Sequence, residues 1–224
     1  KIPNQSYQVK DFTVEADWSA ASYYYAIAAL SDTADLTLKG LQKGSIQGDA
    51  EIVEIAKKFG IKTHFGDNMI TIVKSSDVPK LSNLEQNFTD IPDLTQTVSV
   101  ICAGLGTIAL FSGFHTLRIK ETDRIAALQS ELLKLQVFLN KMPEKFSKKT
   151  GIEYFLQEGI ATYVADEIPV IETFDDHRMA MAFAPLALIF PISIKHPEVV
   201  SKSYPDFWKD LRSLGFTISL DSTQ

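Results

Sequence analysis

Four short segments of this 224-residue chain carry side chains suited to chemistry rather than to filling a core. The first, Leu117-Arg118-Ile119-Lys120-Glu121-Thr122-Asp123-Arg124, is mostly charged, with alternating signs, and leads into a helical pattern. Lys120 and Arg124 are four apart, so a helix beginning here would set both cations on one face at an N-terminus, a suitable arrangement for an anionic ligand. The second, Thr173-Phe174-Asp175-Asp176-His177-Arg178, passes abruptly into the small apolar run Met179-Ala180-Met181-Ala182. Paired aspartates before a helix are good capping residues, but capping does not explain His177 and Arg178. The third is Asp90-Ile91-Pro92-Asp93 and the fourth Ser201-Lys202-Ser203-Tyr204-Pro205-Asp206. Taken alone, Asp93 reads equally as a first-turn dipole partner and Lys202 as a solvated lysine. Taken together, the four segments supply Lys120, Arg124, Arg178 and Lys202 as cations and Asp93 and Glu121 as carboxylates. That set suits a small dianion or trianion together with acid/base work.

The elements that must position these residues can be read from hydrophobic period and from breakers. Extended runs are expected at Phe12–Glu15, Asp35–Leu38, Ile61–Phe65 and Met69–Val73, with helices over Ser19–Leu30, capped by Ser19, and Asp49–Phe59, capped by Asp49. The same order returns as a strand at Leu84–Phe88, a helix from Pro92 to Ala103, a strand at Thr107–Phe111 and a helix over Thr122–Leu135. Weaker strands follow near Val137–Lys141 and Ala161–Val164. A third pass runs Val170–Thr173, the helix Asp176–Ile189, Ile192–Ile194, the helix Pro205–Leu214 and Phe216–Leu220. The fold class is α/β, with almost three copies of a βαβαββ unit. Each of the four segments stands where a strand hands over to a helix, and in layered α/β folds such ends gather along one edge and build a cleft.

Composition narrows the field. Twenty-two basic residues against 28 acidic ones give a net charge of −6, and without a basic stripe the chain is not expected to grip nucleic acid. The longest apolar stretch, Met179–Ile192, is interrupted by Pro185 and Pro191 and falls short of the roughly 20 residues of a membrane span. Cys102 is the single cysteine, so no internal disulfide is possible, and its apolar helical surroundings mark it as core filler. His64, His115 and His196 have no metal-ligand spacing, and Gly104-Leu105-Gly106 lacks the rest of a dinucleotide fingerprint. No metal site or cofactor is expected, and the localisation expected is cytoplasmic. The chain starts at Lys1 rather than Met, which suggests a processed chain or a piece of a longer one.

Lys120-Glu121-Thr122-Asp123-Arg124 and Asp176-His177-Arg178-Met179-Ala180-Met181 resemble the two signature segments of the 5-enolpyruvylshikimate-3-phosphate synthase family. Four more matches follow in order: Val14-Glu15-Ala16-Asp17 through Ser22-Tyr23, Gln47-Gly48-Asp49, Ile91-Pro92-Asp93, and Lys202-Ser203-Tyr204-Pro205-Asp206. The resemblance covers nearly the whole chain. It implies the enolpyruvyl transferase fold, with two lobes of three βαβαββ units each and the site between them. On that basis residues 1–64 belong to the end of one lobe and 65–224 to most of the other, so that the chain is the C-terminal half of an enzyme. The sister enzyme acting on UDP-N-acetylglucosamine shares the fold but is not expected to carry both signature segments. A short, non-catalytic anion-binding homologue is the remaining alternative.

The activity implied by the resemblance is transfer of the carboxyvinyl group of phosphoenolpyruvate to the 5-hydroxyl of shikimate 3-phosphate, with release of phosphate and no cofactor. The full-length family member is expected to be monomeric. Carried over by position, Asp93 resembles the carboxylate on the shikimate hydroxyls and a base for the attacking one. Glu121 resembles the proton-handling carboxylate near C3 of phosphoenolpyruvate. Arg124 and Arg178 resemble the pair on its carboxylate, and Lys202 the lysine at its phosphate. Lys120 and Tyr23 resemble shikimate-phosphate contacts, and His177 a support for the carboxylates. Departures from the family pattern are Ala20 in place of a serine, Thr116 in place of an asparagine, and Ala16 in place of a glycine.

Overall fold

Strands and helices alternate along the chain because period-2 runs rich in Ile, Leu and Phe are separated by helical runs with Asp or Pro at their starts. The structure is a computed structural model describing residues 3–9, 11, 13–164 and 167–220. Helix α1 (Trp18–Leu30) is followed by β1 (Ala34–Lys39), α2 (Ile52–Lys58), β2 (Lys62–Gly66) and β3 (Met69–Lys74). The three strands form an antiparallel sheet in the order β1-β3-β2. The next stretch is β4 (Asn83–Asn87), α3 (Thr95–Leu105), β5 (Ile108–Ser112), α4 (Arg124–Lys134), β6 (Phe138–Lys141) and β7 (Tyr154–Glu158). Their sheet has the order β4-β5-β7-β6, with β4 and β5 parallel and the other pairs antiparallel. This is one complete βαβαββ unit. The last stretch is β8 (Val170–Ile171), α5 (His177–Phe183), β9 (Ser193–Ile194) and α6 (Phe207–Ser213), with β8 parallel to β9 as β4 is to β5.

The repeat is therefore real, but its count differs from the sequence reading. Among the described residues the first unit runs α-β-α-β-β and the third β-α-β-α. Phe12 lies outside the described residues, and Thr13–Glu15 form no strand; the chain touches the first sheet through Ala16 N–H to Gly40 O at 2.8 Å. Residues Phe216–Leu220 also form no strand, and Phe216 and Ile218 pack against the core as loop residues. The expected strand at Ala161–Val164 is displaced to β7, which lies between β5 and β6. Its pattern was hidden because Tyr154, Phe155 and Gln157 are all buried, so the strand shows no alternation of polar and apolar residues. The expected division at 64/65 falls inside β2, and β3 keeps the chain in the first sheet to Lys74.

Caps differ too. Asp17, not Ser19, caps α1, its carboxylate accepting from Ser19 N–H at 2.9 Å. Asp49 lies in a 3-10 turn (Gly48–Glu51) before α2 and accepts no capping bond. The helix expected over Thr122–Leu135 starts at Arg124, with Asp123 as its cap. Lys120 therefore lies before the helix rather than on one of its faces. Pro185 ends α5 early, and the chain continues as a 3-10 turn over Ala184–Leu188.

Helix α1 is buried on every side, including Tyr23, Tyr24 and Tyr25, as expected of a helix that is apolar all round. It packs on α3, α5 and the first sheet, so it links the two sheet systems through one continuous core. Cys102 is part of that core, fully buried, and burial pushes its thiol well above the usual range.

Candidate functional site

Three strand-to-helix junctions meet beside α1. Asp93 follows Pro92, in a 3-10 turn leading into α3. Glu121 and Arg124 come from the approach to α4, and Asp176 and Arg178 from the start of α5. Each junction is locked locally. Asp123 accepts from Ile125 and Ala126 N–H at 3.1 and 3.2 Å, and Asp176 accepts from Arg178 N–H at 2.9 Å. Before α5, Phe174 and Asp175 both lie in the left-handed region, at φ 54° and 57°. Such residues cost on the order of 1–3 kcal/mol each and are retained where the surroundings over-determine them; this pair turns the Asp175 carbonyl toward Lys202.

Arg124 is the hub. Its side chain is 1% exposed and its donors are shared among three carboxylates. Nε donates to Asp176 Oδ2 at 2.7 Å, Nη1 to Asp93 Oδ1 at 2.8 Å and Nη2 to Glu121 Oε2 at 2.6 Å. Asp93 also accepts from Arg178 Nη2 at 3.0 Å and lies 3.3 Å from Lys120 Nζ. Burial alone would lift the Asp93 carboxyl, but Arg178, Lys120 and Arg124 outweigh it and hold the group below the usual aspartate range. Burial likewise works against Glu121, yet its backbone hydrogen bond and the charges of Arg124, His177 and Arg178 hold it below the glutamate range. His177 is lowered, first by burial and then by Arg178, with Asp176 and Glu121 opposing.

The structure thus brings together Asp93, Lys120, Glu121, Arg124 and Arg178 in one network. His177 stands beside it, Nδ1 4.0 Å from Asp176 Oδ1. Tyr23 is buried against Arg178, which, with Asp176 and Asp17, influences its hydroxyl, although burial is the main cause of that hydroxyl's raised pKa. Lys202 is not bonded into the network; it is tied to Asp175, Nζ reaching Oδ1 at 2.8 Å and the carbonyl at 3.0 Å. The cations expected to be available for an anion are thus already matched: Lys120, Arg124, Arg178 and Lys202 face Asp93, Glu121, Asp175 and Asp176. Three buried polar atoms here have no partner within the chain: Tyr23 Oη, His177 Nδ1 and Arg178 Nε. Tyr23 and Arg178 lie close enough to influence each other's ionisation.

Two aspartates read as caps do more. Asp176 is completely buried, and besides capping α5 it orients Arg124. Asp49 receives a hydrogen bond from Ser19 Oγ. Burial raises its carboxyl, with Asp93 and Asp17 adding to that and Ser19 and Arg178 opposing. Gly48 lets this segment lie close to the backbone before Asp93, since a Cβ there would meet Asp90 O at 2.9 Å. The position of Asp49 in Gln47-Gly48-Asp49, one of the matched motifs, was the available signal. Thr116 Oγ1 is buried without a partner. Among the described residues, no group of three or more His, Cys, Asp or Glu is placed to hold a metal ion, and no helix is long and apolar enough to cross a membrane.

Comparison with known proteins shows the chain's family and fold. A family model described as EPSP synthase (3-phosphoshikimate 1-carboxyvinyltransferase) matches residues 2–211. A 3-phosphoshikimate 1-carboxyvinyltransferase of Bacteroides fragilis is 44% identical over 221 residues, which is 98% of this chain and 51% of the relative. One of Methanococcus maripaludis is 33% identical over 97% of this chain and 47% of the relative. The chain spans about half the length of the curated relatives it matches. Among solved structures, EPSP synthase of Acinetobacter baumannii superposes with a TM-score of 0.68 at 22% identity, covering 93% of this chain and 48% of the other. The enolpyruvyl transferase NikO of Streptomyces tendae superposes with a TM-score of 0.59 at 14% identity, over 92% and 44%. At these identities the structural likeness speaks for the fold alone.

Proposed function

Because the chain belongs to the EPSP synthase family, we propose that the protein containing it transfers the carboxyvinyl group of phosphoenolpyruvate to the 5-hydroxyl of shikimate 3-phosphate, releasing phosphate. The observation that carries this reading is the convergence of Asp93, Glu121, Lys120, Arg124 and Arg178 on one hydrogen-bonded cluster at three strand-to-helix junctions. In the addition step, the 5-oxygen bonds to C2 of phosphoenolpyruvate, the hydroxyl proton passes to a base, and C3 gains a proton. In the elimination step, C3 gives a proton back and the C2–phosphate oxygen bond breaks.

The cluster suits this sequence because its carboxylates are held ionised by cations that the substrate also needs. The carboxylate of phosphoenolpyruvate is a bidentate partner for a guanidinium, which Arg124 and Arg178 would supply. Drawing Arg178 and Arg124 toward a substrate anion relieves Asp93 and Glu121 of the charges that hold their pKa values down. Both then become better proton acceptors, Asp93 for the attacking hydroxyl and Glu121 for the proton exchanged at C3. Tyr23 and Lys120 would meet the shikimate phosphate, and Lys202 the phosphate that leaves.

In the lobe arrangement that goes with this reading, the first lobe, expected over 1–64, runs on to Lys74 through the pairing of β3 with β1 and β2, and the rest of the chain belongs to the other lobe. We further propose a cytoplasmic, monomeric full-length enzyme. The alternative is a short homologue that binds an anion without turnover. An in-frame upstream coding sequence separates it from the enzyme reading. Substrate exchange separates the UDP-N-acetylglucosamine enzyme. The direct test is phosphate release by the full-length protein from phosphoenolpyruvate and shikimate 3-phosphate, with the enolpyruvyl ether identified by mass. Absence of that product rejects the proposal.

A further inference from the structure

Tyr204 lies two residues beyond Lys202 and is held by hydroxyl contacts on both sides. Its Oη is 2.6 Å from Tyr24 Oη on α1 and donates to Asp210 Oδ2 on α6 at 2.7 Å. An ionised carboxylate only accepts, so the Tyr204 proton goes to Asp210 and Tyr24 must donate to Tyr204. The three groups form a directed chain from α1 to α6, and bonds in such a chain strengthen one another. We propose that Tyr204, fixed between Tyr24 and Asp210, is a positioning residue that holds the backbone from which Lys202 reaches the phosphate of phosphoenolpyruvate. This rests on the role given to Lys202 above.

The local backbone makes Tyr204 the anchor. Its N–H donates to Val200 O at 2.7 Å, and its carbonyl accepts from Phe207 N–H at 3.1 Å. It thereby joins the 3-10 turn Pro197–Lys202 to the start of α6. The Lys202 side chain is half-exposed and its contacts are with Asp175. A ligand phosphate has to replace that tether, and once it does, the lysine's place depends on the backbone beside it.

Packing already holds the segment: Phe207 lies edge-on to both Tyr23, at 6.0 Å, and Tyr204, at 5.6 Å. A phenylalanine at 204 would serve that packing equally well and would bury no hydroxyl. What the hydroxyls add is direction and register. They reach the same helix that carries Tyr23, so the groups proposed to meet the two substrate phosphates hang on one frame. Beyond Tyr24 and Asp210 a cavity of about 320 Å³ opens against β1 and the end of α6.

The test uses the full-length protein carrying Tyr204→Phe, which keeps the ring and removes both hydroxyl bonds. Because a misplaced group can cost up to about a hundredfold, we expect the KM for phosphoenolpyruvate to rise about tenfold while that for shikimate 3-phosphate changes less than about twofold. Tyr24→Phe, which leaves the Tyr204–Asp210 bond, should move the same constant in the same direction by less. Asp210→Asn, which keeps an acceptor, should stay near wild type. Acetylation of Lys202 without substrate, read by mass spectrometry against Lys209, should quicken about threefold in Tyr204→Phe as the segment loosens. An equal rise in both KM values, or no rise in either, overturns the proposal. If the unaltered protein releases no phosphate, the functional reading falls instead. The labelling rate then decides alone, with an unchanged rate rejecting the anchor.

Discussion

At the scale of single residues, the charge at Arg124 is the most consequential. A guanidinium 1% exposed and shared among Asp93, Glu121 and Asp176 is tolerable because each charge is met. Removing it leaves Asp176, fully buried, without its partner. Arg124→Met is expected to cost about 3–5 kcal/mol in urea unfolding. Asp93→Asn is expected to cost less, since Asp93 is partly exposed. Its effect has a pH signature. The folded pKa of Asp93 is depressed, so the stability it contributes is present above the unfolded pKa near 4 and is lost as pH falls through the folded value. The wild-type chain should therefore lose stability below about pH 4 more steeply than Asp93→Asn, as read from denaturation curves at successive pH values. His177 is also depressed, chiefly by burial. Its proton NMR titration should show a midpoint below the ordinary value of about 6.5, so that the imidazole is neutral at pH 7.

At the scale of elements, the site depends on how three helices begin. Asp17, Asp123 and Asp176 each cap a helix whose first residues carry or adjoin a site group. Asp123→Ala should cost about 1 kcal/mol by the loss of two capping bonds. Fraying of the first turn of α4 should also loosen Arg124, so a fall in kcat/KM larger than the fall in stability explains is expected in the full-length protein. Of these starts only that of α5, with Asp176 before a small apolar run, was legible; Ser19 read as the cap of α1 in place of Asp17, and Asp123 did not stand out as the cap of α4. Nor were the element boundaries legible. Thr122 to Arg124 reads as helix by pattern, yet the turn before Asp123 places Lys120 and Glu121 outside the helix, where they reach Asp93 and Arg124. Strand β7 was invisible because burial on both faces removes the alternation that marks a strand.

At the scale of the whole molecule, the repeat explains why the site lies at one edge: each βαβαββ unit delivers its strand-to-helix turns to the same side. The cluster there is balanced, cation for carboxylate, which makes it a poor trap for two multiply charged substrates. Residues 1–224 expressed alone should therefore release no phosphate above background from phosphoenolpyruvate and shikimate 3-phosphate. Turnover by this piece at a rate near that of the full-length protein would refute the charge-balance argument.

The sequence by itself determined the α/β repeat and the identity of the charged residues, because these follow from local pattern and from residue chemistry. It also carried the family resemblance, in six ordered motifs. The tertiary structure decided which charges meet. Arg124 and Asp176 are 52 positions apart, Arg178 and Asp93 85 apart, and Tyr24 and Tyr204 180 apart. No local rule couples such pairs. Their contact follows from helices α3 and α5 packing on α1 and from α4 packing on α3, and it converts residues that read as free cations into one half of a matched network.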